Sequence, residues 1–224
     1  MKIEPQDFNE YQNKRYEKIQ ALRDVGMEPY PLRSERTHSS QAAIAALREV
    51  GEEVEEGPDV TVAGRVVAFR KMGKISFLHI EDRDGRIQLY VRRDTIGREN
   101  YNNLFKKFVD LGDFIEVRGP MFYTRTKEAT VNVQEWKMLA KAINQPPEKW
   151  HGLADVEQRY RERYADLLSS EEVRRVFIMR SRITSLVRRY MESQGFIETE
   201  TPILQPLYGG AAARPFMTHH NWAK

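Results

Sequence analysis

The sequence predicts an α+β protein, mostly β in its regular structure: a five-stranded barrel preceded by N-terminal helices and followed by a long helix and a strand. Three observations carry this. At Val60 the apolar spacing changes from a helical period to a period of two. Between residues 60 and 139 three such alternating runs, a helix and two further runs follow one another. From residue 171 to 194 apolar side chains recur every three or four positions over the longest uninterrupted stretch of the chain.

Taken in order, residues 8–24 place Phe8, Tyr11, Ile19 and Leu22 at near-helical spacing, with Gly26 as a stop and Pro29 and Pro31 as breakers. A second short helix is predicted over 40–50, capped by Ser39 or Ser40, whose hydroxyl can accept a free amide of the first turn. The glutamate-rich GEEVEEGPD that follows reads as a solvated boundary. Strands are predicted at 60–69, 75–80 and 87–91, separated by Gly/Lys and Asp/Gly turns. A helix is predicted at 100–111, with Tyr101, Leu104, Phe105 and Phe108 on one face, and strands at 114–123 and 130–139. That order matches the Greek-key barrel of the OB-fold, with a small open sheet as the alternative. After the proline-broken connector 144–154 a helix is predicted over 155–168, and then the helix 171–194 with Gly195 just past its end. The expected domains are therefore an N-terminal helical extension (1–58), the barrel (59–143), a linker with a helix (144–170) and the start of a further domain (171–224).

Composition narrows the function. With 31 % charged residues and a mean hydropathy of -0.67, no apolar run approaches the ~20 residues that span a bilayer, and the first ten residues lack the basic-then-apolar layout of a secretion signal. A cytoplasmic, non-membrane protein is expected. There is no cysteine, so disulfides and thiolate metal sites are excluded. The adjacent His219 and His220 point to opposite faces of any strand, and no metal site is expected. No P-loop and no paired nucleophile and base appear. The net charge of +3 is uneven: residues 1–59 carry 8 Lys+Arg against 13 Asp+Glu, whereas residues 60–140 carry 15 against 10. A basic barrel suits a polyanion such as nucleic acid, although ordinary solvated faces give the same count.

Four stretches resemble one family: GRVVAFRKMGKISFLHIEDRDGRIQLYV (64–91), WHGLADVEQRYRERYADLL (150–168), GFIETETPIL (195–204) and GGAAARPFMTHHN (209–221). Together they are similar to the N-terminal portion of a class II lysyl-tRNA synthetase of the bacterial type. The last stretch is the most specific, because the aspartyl and asparaginyl relatives, the alternative within the class, share the barrel.

The resemblance implies that the barrel grips the anticodon of tRNA-Lys. By spacing from Gly64, Phe77 falls where a ring stacks on the middle anticodon base, Gln88 where an amide hydrogen-bonds it, and Arg70 where a guanidinium contacts it. An unstacked base needs an aromatic face and edge-specific donors and acceptors. As a lone residue Phe77 would equally be a core side chain. Glu128, in the turn before the fifth strand, either accepts a hydrogen bond from another anticodon base or is merely solvated. Lys71, Lys74, Arg86, Arg125 and Lys127 are candidate phosphate partners.

The same resemblance makes the helix 171–194 with Gly195 and Pro202 the family's motif 1, a homodimer interface. Gly209, Gly210 and Ala211 become a loop beside the amino-acid pocket, where small residues let backbone approach a ligand, although a flexible turn reads equally well. The ligase joins lysine to ATP as an adenylate, with magnesium, and passes the lysyl group to tRNA; the arginines and carboxylates for that chemistry, in motifs 2 and 3, are expected beyond Lys224. These residues alone are accordingly expected to be catalytically inactive, and an inactive tRNA- or RNA-binding fragment is the alternative to a working ligase.

Overall fold

The computed structural model describes residues 8–51, 54, 56–146, 153–202, 218–219 and 221. They belong to two compact units, Met1–Ser169 and Ser170–Lys224.

The first unit opens with two helices. α1 (Glu10–Asp24) starts in a capping box: the Asn9 side chain accepts the Gln12 amide and the Gln12 side chain accepts the Asn9 amide. α2 (Ser40–Val50) is capped by Ser39, which accepts the Ala42 amide. The barrel then forms from β1 (Asp59–Met72), β2 (Ile75–Glu81), β3 (Arg86–Arg92), β4 (Phe114–Tyr123), β5 (Ala129–Val133) and β6 (Glu135–Ala140). β1, β2 and β3 form an antiparallel meander, β3 pairs parallel with β5, β5 pairs with β4, and β4 returns to β1, which closes the sheet. Closure leaves one face of each strand inside. Val60, Val62, Val66, Leu78, Ile80, Ile87, Leu89, Val91, Ile115, Val117, Met121, Val131 and Val133 fill that interior.

Three expectations need correction in detail. A separate, unpredicted α3 (Arg93–Ile96) comes first; the helix predicted over 100–111 is a π-helical turn (Asn100–Phe105) and a short α4 (Lys106–Phe108). It ends early because the chain must rejoin the sheet: the Gly112 amide donates to Val66 O and the Val66 amide to Asp113 O, both at 2.8 Å. The buried rings of Tyr101, Phe105 and Phe108 nevertheless share the predicted face. The strand predicted over 130–139 is two strands, because its pairing slips by one residue from Met121↔Val131 to Arg118↔Glu135. Gln134 sits at the slip and donates its amide to Arg118 O. Gly119 makes that crossing possible, since a Cβ there would lie 2.0 Å from the Asn132 carbonyl oxygen. Finally, the helix predicted over 155–168 breaks at Glu162 into α5 (Val156–Arg161) and α6 (Arg163–Ser169). The break lets Arg159 and Arg163 both reach the buried carboxylate of Asp166.

A buried polar knot fastens α1 to the barrel. Lys141 Nζ donates to Asp110 and Asp113 at 2.6 Å, Lys18 of α1 donates to Asp110, and Arg15 donates to the Ala142 and Leu111 carbonyls.

The second unit contains α7 (Glu171–Ser193), begun by Ser170 accepting the Val173 amide and ended by Gly195 at φ 85°. That left-handed conformation is the reason a glycine stands there. Val176, Phe177, Met179, Ile183, Leu186, Val187 and Tyr190 are all exposed along it. Residues 196–202, the described part of the predicted following strand, have no regular secondary structure, and Pro202 is exposed. Gly209, Gly210 and Ala211 lie outside the described residues. Among the described residues no helix is long and apolar enough to cross a membrane.

Candidate nucleic-acid interface

The alternation that fills the barrel also builds its outer face. In β2, Ser76, Leu78 and Ile80 are buried and Phe77 and His79 point the other way; in β3, Ile87, Leu89 and Val91 face the interior and Gln88 and Tyr90 the other side, where Gln88 is covered to 9 % exposure and its partner Thr130 is fully buried. Strand register aligns these outer residues in two adjacent rows. One runs Arg70, Phe77, Tyr90, Asn132 and the other Ala68, His79, Gln88, Thr130, Phe122. Arg70 therefore stands directly beside Phe77, and Gln88 is its diagonal neighbour, within reach of a base lying on the ring.

Phe77 is a surface ring rather than a core one. Its centroid lies 4.9 Å from that of Tyr90 at 31°, and Tyr90 lies 5.8 Å from Phe122 at 60°. One aromatic row thus crosses β2, β3 and β4, with the Arg92 guanidinium over Tyr90. Such faces accept unstacked bases whatever their identity.

Identity requires the polar groups beside them. Gln88 Nε2 donates to Glu128 Oε2 at 2.6 Å, and Gln88 Oε1 accepts from the Thr130 hydroxyl at 2.9 Å. The other oxygen of Glu128, Oε1, lies 2.9 Å from His79 Nε2. Glu128 is delivered there by a tight turn in which Lys127 adopts φ 59° and the Glu128 amide donates to Thr124 Oγ1. The sequence reading treated Gln88 and Glu128 as separate; the structure joins them. It also adds His79, Tyr90, Phe122 and Thr130, which sequence reasoning missed. His79 and Tyr90 were accessible to it, since each lies two residues beyond a named site residue and so shares its face; Thr130 and Phe122 needed the strand pairing.

The cations divide differently from expectation. Arg70 is exposed, as are Lys74 and Arg125 in their turns. Arg86 is paired with Glu81. Lys71 does not belong to this face: its register partner is the buried Ser76, its Nζ donates to the Lys106 carbonyl and lies over the Phe69 ring, and burial pushes its pKa down. Gly195 and Pro202 lie in the second unit.

Comparison with known proteins agrees with this architecture. Residues 60–139 match the family of OB-fold nucleic acid binding domains, and residues 155–224 match the tRNA synthetases of class II (D, K and N). A barrel of the first kind followed by a segment of the second places the resemblance within the class II tRNA synthetases. Within that class the chain is similar to one part of curated lysine–tRNA ligases. It is 47 % identical over 219 residues to a lysine–tRNA ligase of Roseiflexus sp. (strain RS-1), covering 97 % of this chain and 44 % of that protein. It is 47 % identical over 219 residues to one of Carboxydothermus hydrogenoformans, covering 98 % and 43 %, and 44 % identical over 218 residues to one of Bacillus subtilis (strain 168), covering 96 % and 43 %. The chain thus spans less than half the length of these curated relatives.

Proposed function

We propose that this chain is the tRNA-recognising part of a cytoplasmic lysine–tRNA ligase, and that the outer face of its barrel reads the anticodon of tRNA-Lys. The observation that carries the reading is the convergence, on paired strands, of a half-buried aromatic row with one amide and one carboxylate. A base stacked on Phe77 meets the Gln88 amide at its edge and the Arg70 guanidinium at its side. The free Nε2 hydrogen of Gln88 donates to a uracil carbonyl, and Oε1 accepts from uracil N3–H. Glu128 has lone pairs left to accept from a neighbouring base, because an ionised carboxylate offers about four acceptor sites. Arg70, Lys74 and Arg125 supply charge for the phosphates, which fixes the register of the strand without reading its sequence.

In the complete ligase, lysine is activated with ATP and magnesium, transferred to tRNA-Lys, and the enzyme works as a homodimer. Lysine, ATP and magnesium belong to the complete ligase in this proposal, and no step through them is assigned to the described residues. α7 with Gly195 and Pro202 supplies the dimer contact in this proposal, and Gly209, Gly210 and Ala211 the amino-acid pocket.

The test is equilibrium binding of a fluorescent tRNA-Lys anticodon stem-loop, against a stem-loop of equal length and charge whose seven-nucleotide loop is scrambled. Tighter binding of the first is expected, with affinity falling as salt rises. Equal affinity for both at every salt concentration would leave only non-specific attraction to a polyanion.

A further inference from the structure

The hydrogen bonds on the barrel face contain an asymmetry that bears on specificity. An amide side chain can present either end, and its two ends are nearly the same size. A carboxylate cannot: it only accepts. Because Glu128 Oε2 lies 2.6 Å from one end of the Gln88 amide, that end has to be the NH2 group. The carbonyl end is thereby turned to Thr130, whose single hydroxyl proton lies between Gln88 Oε1 at 2.9 Å and the Glu128 main-chain carbonyl at 3.0 Å, so the orientation is set by the Glu128 carboxylate rather than by Thr130. Glu128 is in turn held from the far side. His79 Nε2 is 2.9 Å from Oε1, and against a carboxylate that nitrogen must carry the proton. His79 and Gln88 are direct cross-strand partners, and so are Gln88 and Thr130. The chain His79, Glu128, Gln88, Thr130 therefore spans three strands and a turn, with only one order of donors and acceptors.

We propose that Glu128, positioned by His79, fixes the orientation of the Gln88 amide and thereby makes the site selective for uracil over cytosine. The proposal rests on the reading that Gln88 contacts a base. In the enforced orientation the edge presents an N–H donor beside a carbonyl acceptor. Uracil offers the complement, a carbonyl beside N3–H. Cytosine offers N3 as an acceptor, which would face the Gln88 carbonyl with no proton between them. A flipped amide reverses this preference. Glu128 and His79 are thus specificity-determining for a base neither has to touch, and Glu128 keeps two lone pairs for a base of its own.

The experiment uses the full chain and two anticodon stem-loops that differ only by U or C at the middle position, with affinity measured for wild type, Glu128→Gln, His79→Leu and His79→Gln. Thermal melting of each variant confirms that the barrel is folded. Wild type is expected to prefer U by about tenfold or more, the discrimination of a good bidentate contact. Glu128→Gln replaces a pure acceptor with a group of either polarity, and its ratio should fall towards unity. His79→Leu frees the carboxylate and should do the same, whereas His79→Gln restores a donor to Oε1 and should recover most of the preference. A wild-type preference that survives intact in Glu128→Gln and His79→Leu would overturn the proposal and leave base reading by Gln88 standing. A change confined to discrimination at a neighbouring anticodon position would also overturn it, by making Glu128 the reader of that base alone. A wild-type ratio of one would remove base reading itself, and this proposal with it.

Discussion

Replacing Phe77 by alanine separates recognition from stability on the barrel face. The ring is partly exposed and touches the barrel mainly through Tyr90, 4.9 Å away. Its removal leaves Ser76, Leu78 and Ile80, the core residues of the same strand, in place. The folding cost should therefore be that of one surface ring pair, about 0.5–1.5 kcal/mol, rather than the 3–5 kcal/mol of truncating a core phenylalanine. Binding should suffer by comparison, because a stacked base is worth about 1–3 kcal/mol. At about 1.4 kcal/mol per factor of ten, that is roughly a 5- to 150-fold weaker Kd for the anticodon stem-loop. The assay pairs urea denaturation with stem-loop titration under one buffer. Phe77→Leu refines it by keeping the apolar volume and losing the π face, so it should be nearly as stable as wild type and still bind weakly. A Phe77→Ala protein with wild-type affinity would refute the stacking argument. A loss of stability near 4 kcal/mol would show that the ring belongs to the core.

Three other expectations follow from the fold. Gly119→Ala puts a methyl 2.0 Å from the backbone oxygen of Asn132, a residue held in the β3–β5 pairing. It should destabilise the barrel by about 3 kcal/mol or more, and a urea midpoint within ~0.5 kcal/mol of wild type would contradict this. Asp82 and Glu116 should make the protein acid-sensitive. Burial pushes both carboxyls up, but the Ser40 hydroxyl and the Ser40, Asp84 and Gly85 amides outweigh it at Asp82, as do Lys137, Ser34 and the Glu35 amide at Glu116. Both end below the usual carboxylate range, so their stabilisation is present above the unfolded pKa of about 4 and is lost as pH falls through the folded value. Melting temperatures measured from pH 7 to pH 3 should drop, and Glu116→Gln should be less stable at pH 7 with a flatter profile; an unchanged slope in that variant would count against the assignment. The exposed apolar side chains of α7, Phe177, Ile183, Val187 and Tyr190, should drive concentration-dependent association. Sedimentation should show it and Ile183→Asp should weaken it, whereas a monomer at every concentration with α7 helical would show that the face needs no partner.

The helices and strands were legible where a single local rule acts. α2 starts and stops where the Ser39 cap and Gly51, at φ 102°, place it, and β2 follows strict alternation. The sequence misled where distant segments decide. Nothing local to residues 130–139 says that β4 will cross them at Gly119 and force a slip at Gln134. The helix over 100–111 was shortened by Val66, nearly fifty positions earlier, which takes the amide of Gly112. At the site, the family resemblance singled out Phe77, Gln88 and Arg70, and the strand register brings them to one face. Their hydrogen-bond order was not readable, because the Gln88–Glu128 contact spans 40 positions and depends on the closed barrel. Lys71 was misjudged because the bulge between Val66 and Ala68 changes which residues of β1 face outward beyond it.

The claim that the barrel face reads the middle anticodon base is tested most directly by photo-crosslinking. A stem-loop with 4-thiouridine at that position is irradiated in complex with the chain, and the modified residue is located by mass spectrometry. The account predicts adducts on Phe77 or Tyr90, within β2 and β3, that are lost when an unlabelled stem-loop competes. Competable adducts only on α7 or on the N-terminal helices, with β2 and β3 unmodified, would contradict it.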